Sequence, residues 1–277
     1  MTSCPDFAVL MSVYGRDDAA LFDQALCSVY TNTQPPAQLI LVQDGPLGPD
    51  LLAVIDRYRH DPGFTLVELP RNVGLAKALN EGLRHVTSPF VLRADADDVN
   101  LPDRFEKQLP LLAAGHDLVG GAIQEVNRDG RPIAIRMPPL EETAILRFAR
   151  RRNLFNHMTV GFRLDMVLAC GGYPDLHLKE DYGLWAAMLA RRARVANLPD
   201  ILVRATTGRE MYQRRGGLRY VRSEVNLQRQ LVRCGLQTWP SALLTGMMRS
   251  TVFLMPAGWR GLIYEKLLRR PAKGESS

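Results

Sequence analysis

Strand-like and helix-like runs alternate through the first 120 residues, and that alternation limits the chain to few architectures. Phe7–Val13 is a mostly apolar run of the buried-strand kind. Residues 17–33 follow, with Leu21, Ala25, Leu26 and Val29 at helical spacing. Residues 38–42 read as the next strand and run into Gln43-Asp-Gly-Pro46. A helix is predicted over 51–58, a strand over Phe64–Leu69, and a helix over 74–86 with Leu75, Leu79, Leu83 and Val86 on one side. Residues 90–92 form a short strand, 101–114 a helix with Pro102 in its first turn, and 117–126 another strand. This order predicts a parallel sheet with helices on both faces. It weakens after residue 130, where a mixed second half begins. With 46% hydrophobic and 23% charged residues, the 277-residue chain has ordinary globular composition and ample material for a core.

In sheets of this kind, ligands bind beyond the carboxyl ends of the strands. Those ends carry Tyr14-Gly15, Asp44-Gly45 and the acidic run Asp95, Asp97 and Asp98. Three acids in four residues repel one another unless a positive charge sits among them. Mg²⁺ or Mn²⁺, held by one or two carboxylates and by diphosphate oxygens, answers that need. A solvated acidic turn ahead of the helix at Leu101 is the plainer alternative. Other nucleotide chemistries lack their signatures. There is no GxGxxG after the first strand, no GxxxxGK[ST] and no GxSxG.

The segment from Val91 through Arg93-Ala-Asp-Ala-Asp98 to Gln108 resembles the DxD segment of family 2 glycosyltransferases, inverting enzymes of GT-A fold that use nucleotide-diphosphate sugars. Other resemblances follow in the family's order. Residues 7–14 resemble its opening strand, which lines the nucleotide site and ends at Tyr14. Val42-Gln-Asp-Gly45 resembles its aspartate turn, with Gln43 in place of the first of two acids. Asn72-Val-Gly-Leu-Ala-Lys-Ala-Leu-Asn80 resembles a segment near the nucleotide. Asn153-Leu-Phe-Asn-His157 and Gly171-Gly-Tyr173 resemble later landmarks, and Lys179-Glu-Asp-Tyr-Gly-Leu-Trp185 resembles the Glu-Asp motif that carries the catalytic base.

The resemblance implies roles. Asp181 becomes the general base that takes the acceptor's proton, at the start of a helix over 182–190; the bland reading is that it only caps that helix. Asp95, Asp97 and Asp98 become the metal carboxylates, beside the leaving diphosphate. Tyr14, Asp44, Asn72, Lys77, Arg93, Asp95, Asp97, His157 and Glu180 become the nucleotide-sugar site. Lys77 reads equally as an exposed helix lysine, Arg93 as half of a structural ion pair, and His157 as a structural histidine. The implied donor is a UDP-sugar, and the implied acceptor a polyprenyl-diphosphate-linked sugar in bacterial surface polysaccharide synthesis.

Charge divides the chain at about residue 203. Residues 204–277 hold 14 Lys+Arg and 4 Asp+Glu, net +10, which leaves −4 for the first 203. The expected organisation is therefore a GT-A catalytic domain over 1–203 and a basic helical extension over 204–277. Trp259, Leu262, Ile263 and Leu267, with Arg260, Lys266, Arg269 and Arg270, could lie on an anionic membrane surface or pack on the main domain. The longest uncharged run, 234–248, is 15 residues and too short to span a bilayer. Residues 1–6 show no basic region followed by an apolar run, and Cys4, Cys27, Cys170 and Cys234 show no CxxC spacing. The expectation is a cytoplasmic protein, peripheral on the inner face of the cell membrane.

Two competitors are weaker. A sugar-nucleotide nucleotidyltransferase needs a glycine-rich basic loop after its first strand, and Tyr14-Gly-Arg-Asp-Asp18 has one glycine. A nucleic-acid-binding module would rest on the tail, where arginines alternate with apolar residues and no recognition motif occurs. No nucleic-acid partner is expected.

Overall fold

A computed structural model describes residues 5–207 and 216–254. The chain runs β1 (Phe7–Val13), α1 (Ala19–Tyr30), β2 (Gln38–Asp44), α2 (Pro49–Tyr58), β3 (Phe64–Leu69), α3 (Leu75–Leu83), β4 (Phe90–Asp95), β5 (Val99–Asn100), α4 (Arg104–Ala113) and β6 (Leu118–Val126). It continues with β7 (Pro132–Arg136), α5 (Glu142–Ala149), a 3-10 turn (His157–Thr159), β8 (Gly161–Arg163), α6 (Leu164–Ala169), α7 (Glu180–Ala190), β9 (Val195–Thr206), α8 (Leu218–Arg233) and α9 (Trp239–Leu254).

Among the described residues the strands form one nine-stranded sheet in the order β3-β2-β1-β4-β8-β6-β9-β5, with β7 paired to β6. β1 to β4 are parallel, as their alternation with helices requires. β8 lies antiparallel between β4 and β6, and β9 runs parallel to β6. β8 has three residues, too few to show a period, so the sequence did not announce it. β9 carries the sheet past residue 203 to Thr206.

Local signals account for several boundaries. Asp18 caps α1 by accepting from Ala20 N–H (2.9 Å) and Leu21 N–H (3.2 Å). Pro49 opens α2, where its missing N–H has no intrahelical partner to lose. Residues 101–103, expected as helix, form a turn instead, because Val99 and Asn100 pair with Arg204 and Val203 of β9. The helix expected over 182–190 begins earlier, at Glu180, so Asp181 lies inside its first turn.

The core lies on both faces of the sheet. Phe22, Leu26, Val54, Phe105 and Leu109 cover one face, against Val9, Met11 and Leu41. Leu79, Leu83, Leu184, Trp185 and Leu227 cover the other, against Leu10, Ile40 and Val91. Gly82 lets α3 settle close on the sheet, since a Cβ there would meet Leu10 Cδ1 at 2.5 Å and Val42 Cγ2 at 2.7 Å. Through Leu227 and Leu231, α8 belongs to this second core, and α9 packs on α8. No described helix is long and apolar enough to cross a membrane. The expected amphipathic stretch 259–270 lies outside the described residues.

Candidate active site

Side chains alternate across a strand, and β4 uses the alternation to present its charges. Phe90, Leu92 and Ala94 pack on the α1/α4 side, while Val91 joins the core on the α3/α7 side. Arg93 and Asp95 share the face of Val91, so the two form an ion pair across one intervening residue. Arg93 is 1% exposed, and its Nε and Nη1 have no hydrogen-bond partner among the described residues. An unpaired buried donor is costly, and these nitrogens lack the acceptors that a buried guanidinium calls for.

Beyond Asp95 the three acids part company. Asp97 is exposed at the turn. Asp98 is turned inward: it is 4% exposed and accepts the Thr206 N–H at 2.8 Å. Burial, then the charges of Asp97 and Asp95, push its pKa well above the usual carboxylate range. Asp98 is therefore separated from the other two by its orientation into the fold, against the expectation of three metal carboxylates. Among the described residues no group of three or more His, Cys, Asp or Glu is arranged to hold a metal. The donor chemistry that remains, exposed Asp97 and half-buried Asp95, fits a hard divalent ion that takes its other ligands from phosphate and water.

A polar brace holds this turn. Asn100, Arg104 and Gln108 follow one another at helical spacing, and all are buried. Arg104 Nε donates to Gln108 Oε1 at 2.9 Å, and its Nη2 donates to the Arg93 carbonyl at 2.8 Å. A further guanidinium bond reaches Asn100 Oδ1. Gln108 Nε2 then donates to the carbonyls of Val119 (2.9 Å) and Thr159 (2.8 Å). Burial, with Arg93 nearby, lowers the Arg104 pKa to about 9. Sequence reasoning assigned Arg104 no role, although its spacing from Asn100 and Gln108 was visible.

The end of β2 builds the neighbouring wall. Asp44 is buried, and its carboxylate accepts the N–H groups of Val73 (2.7 Å) and Gly74 (3.0 Å). Asn72 Nδ2 donates back to the Asp44 carbonyl at 3.2 Å. Asp44 thus organises the loop leading into α3 from within. Gln43 Oε1 is buried and has no partner among the described residues. Tyr14, half-buried past β1, forms a turn in which its N–H donates to Asp17 Oδ2 at 2.9 Å. Lys77 pairs with Asp175 at 3.1 Å, both well exposed.

The other two candidate acids sit at the start of α7. Glu180 is 7% exposed, and burial followed by the Asp181 charge raises its pKa to about 7. Asp181 is half-buried; it accepts from Asn153 Nδ2 and, at 2.7 Å, from the Tyr182 N–H. The helix cap is Lys179, so the capping reading of Asp181 does not describe its position. Tyr182 Oη donates to the Ala149 carbonyl at 2.6 Å, and Trp185 is fully buried, which fixes the helix behind the two acids.

His157 and Tyr173 pack on each other and on Trp185 of α7. His157 Nε2 lies 3.1 Å from Tyr173 Oη. Burial, then the Arg93 charge, lowers the His157 pKa, so the ring is neutral near pH 7. Asn80 clamps the tyrosine's loop: Nδ2 donates to the Tyr173 carbonyl (2.8 Å) and Oδ1 accepts its N–H (2.7 Å). Asn80, expected near the nucleotide, acts as this clamp.

The charges of Asp95 and Asp181, 86 positions apart in the chain, both reach His157 and Tyr173. Arg93 acts on His157, Tyr173 and Glu180, and on Asp98 as well. Arg93, Asp95, His157, Glu180 and Asp181 are thereby linked through shared electrostatic neighbours. Asp98 faces the interior, and Lys77 is held in its surface pair with Asp175.

Similarity to known proteins identifies the family. The family model described as glycosyl transferase family 2 matches residues 8–166. The amylovoran biosynthesis glycosyltransferase AmsE of Erwinia amylovora is 37% identical over 262 residues, covering 94% of this chain and 98% of that protein. The UDP-Gal:alpha-D-GlcNAc-diphosphoundecaprenol beta-1,3-galactosyltransferase of Escherichia coli is 33% identical over 270 residues, covering 96% and 98%. Among solved structures, the mannosyltransferase PcManGT from Pyrobaculum calidifontis, in complex with GDP-Man and Mn²⁺, superposes with a TM-score of 0.60 at 19% identity, covering 94% of this chain and 84% of that one. The structural likeness speaks to the fold, which is GT-A. Motif order, sheet topology and the match over most of the chain lead to one conclusion: this chain is a glycosyltransferase and belongs to glycosyl transferase family 2.

Proposed function

We propose that the protein is an inverting hexosyltransferase that moves a sugar from a nucleotide-diphosphate donor, UDP-linked, to a polyprenyl-diphosphate-linked sugar during surface polysaccharide synthesis. One observation supports the reading: the charges of Asp95 and Asp181, remote in the chain, both act on the contacting pair His157 and Tyr173, and Arg93, paired with Asp95, acts on Glu180. The Escherichia coli relative is named for a UDP-Gal donor and a diphosphoundecaprenol-linked acceptor, which supports both substrate classes, and AmsE is named for amylovoran biosynthesis.

The acceptor hydroxyl attacks the anomeric carbon as the bond to the diphosphate oxygen breaks. Its proton passes to the Asp181 carboxylate, which Asn153 and the Tyr182 N–H hold in place. Attack opposite the leaving group inverts the anomeric centre. The partnerless Nε and Nη1 of Arg93 donate to oxygens of the bound donor. Gln43 Oε1, buried at the end of β2, accepts from the nucleobase. Asp97 and Asp95 would hold a divalent ion, Mn²⁺ or Mg²⁺, which when bound offsets charge gathering on the departing diphosphate. The PcManGT complex holds Mn²⁺, which is consistent with a divalent ion here.

The test is transfer of radiolabelled hexose from a panel of nucleotide sugars to lipid-diphosphate-linked acceptors, with product stereochemistry read by NMR. A β-linked product from an α-linked donor agrees with the reading. Absence of both nucleotide-sugar binding and transfer across the panel overturns it.

A further inference from the structure

The outer face of α9 is apolar and carries no charge. Trp239, Leu243, Leu244, Met247, Met248 and Leu254 recur at helical spacing, and each is between 56% and 65% exposed. They run the length of a 16-residue helix, about 24 Å by the usual rise per residue. The one charged residue of this helix, Arg249, turns the other way and donates from Nη1 to the buried Glu224 at 3.0 Å. A contiguous apolar strip of this size marks a surface that is covered in use.

A basic segment lies beside the same helix, on its inner side. The inner side of α9 and the turn before it are tied to the segment after α5: Gln237 Nε2 donates to the Arg150 carbonyl, and Arg249 Nη2 to the Arg151 carbonyl. Those bonds hold the exposed Arg150, Arg151 and Arg152 against the helix. Arg147, Arg151 and Arg152 also line a shallow cavity of about 450 Å³ with Phe148. Among the described residues, none of the four arginines is paired with a carboxylate. The next residue, Asn153, is the one that holds Asp181.

We infer that the outer face of α9 and the arginine run 147–152 together form a docking surface for an anionic lipid bilayer. The apolar side chains enter the headgroup boundary and the guanidinium groups meet lipid phosphates. This deepens the lipid-linked-acceptor reading and rests on it for the choice of partner. Charge selects lipid over the other occupants. A second copy would bring its own exposed Arg219, Arg222, Arg229 and Arg233 on α8 toward like charge. Residues 255–277 carry five Lys+Arg and two Glu, so they too would add positive charge to the basic segment. An anionic leaflet neutralises it. The surface is also joined to the chemistry, because Glu224 bridges Arg249 to Lys179, the residue before Glu180 and Asp181.

Flotation of the full chain with phosphatidylcholine vesicles, with and without phosphatidylglycerol, tests the surface. The wild type floats with the anionic vesicles and less so as salt rises. Leu243→Gln with Met247→Gln, and separately Arg150→Gln with Arg151→Gln and Arg152→Gln, each lower the bound fraction by about tenfold or more. Calorimetric binding of the nucleotide sugar and the thermal melt stay as in the wild type, since these side chains are exposed and lie outside the donor site. Variants that float like the wild type overturn the inference. So does a dimer-to-monomer change by light scattering in the Leu243/Met247 variant with flotation intact, or flotation lost only on removing residues 255–277. Flotation needs neither donor nor acceptor, so a failed transfer assay and a failed flotation are separate results.

Discussion

Lys179 Nζ lies 2.8 Å from Glu224 Oε2, and both residues are buried. The ammonium also sits over the rings of Tyr220 (4.0 Å) and Phe253 (5.0 Å). Arg249 takes the other carboxylate oxygen, and Gln228 Nε2 donates to that oxygen at 2.7 Å. The residue that opens the acid-bearing helix is thus fastened to both C-terminal helices. Burial works to raise the Glu224 pKa, and the two cations outweigh it, leaving it below the usual value.

Glu224→Gln removes the charge shared by the buried Lys179 and the half-buried Arg249. An uncompensated buried charge costs roughly 3–5 kcal/mol, so the melting temperature should fall by roughly 6 °C or more. The wild type should lose this contribution in acid, as pH drops through the lowered pKa of Glu224, and the variant's melt should show less of that acid dependence. Calorimetric melts from neutral to acid pH check both outcomes.

Asp181→Asn keeps the size and the Tyr182 N–H acceptor but removes the proton acceptor. Transfer should drop by about 100-fold or more, the usual scale for losing a general base, while calorimetric nucleotide binding stays near wild type. Undiminished turnover would remove Asp181 from the role.

Burial, then the Asp181 charge, lifts Glu180 to about 7. As pH rises through that value Glu180 ionises and places a second negative charge beside Asp181, which favours the arrival of the acceptor's proton. The rate profile kcat/KM should climb between mildly acid and mildly alkaline pH with an inflection near neutrality. Glu180→Gln should flatten that limb while retaining measurable transfer. An unchanged inflection assigns it to another group.

Asp97 and Asp98 should behave in opposite ways. Asp97→Ala should weaken Mn²⁺-dependent nucleotide binding, on the order of tenfold, for loss of one of two carboxylates. Asp98→Asn should leave that dependence intact, because its oxygen faces Thr206. The raised pKa of Asp98 means that its ionisation opposes folding as pH climbs above the unfolded carboxylate value. The Asn variant should therefore melt at or above the wild-type temperature on the alkaline side. Titration calorimetry with and without Mn²⁺, and melts over pH, separate the two.

Gly172→Ala should break the clamp on Tyr173. Gly172 has φ +77°, and a Cβ there would lie 2.3 Å from Asn80 Oδ1. The expected cost is about 1–3 kcal/mol in thermal stability, with loss of transfer as Tyr173 leaves His157. A melt and rate equal to the wild type would dissociate the clamp from the site.

The first four strands and helices could be read from periodicity because each is long enough to repeat its pattern. β1 and β3 fall where the apolar runs placed them. β5 and β8, with two and three residues, have no period, and pairing partners far along the chain define them. The acids at the strand ends were equally visible, but their directions were not. Asn80 shows the same limit: it sits in a recognisable segment, and its partner lies 93 residues away.

Apolar spacing and strand-end chemistry are local properties, so the order of residues alone led to a parallel α/β core, a glycosyltransferase resemblance, and Asp95 and Asp181 as candidates. Facing direction and burial are collective properties. Asp97 and Asp98 are adjacent and chemically identical, yet packing against β9 leaves one in solvent and draws the other into the fold with its pKa raised. Only the tertiary structure could part them, because the contacts that do so come from Thr206, 108 residues away.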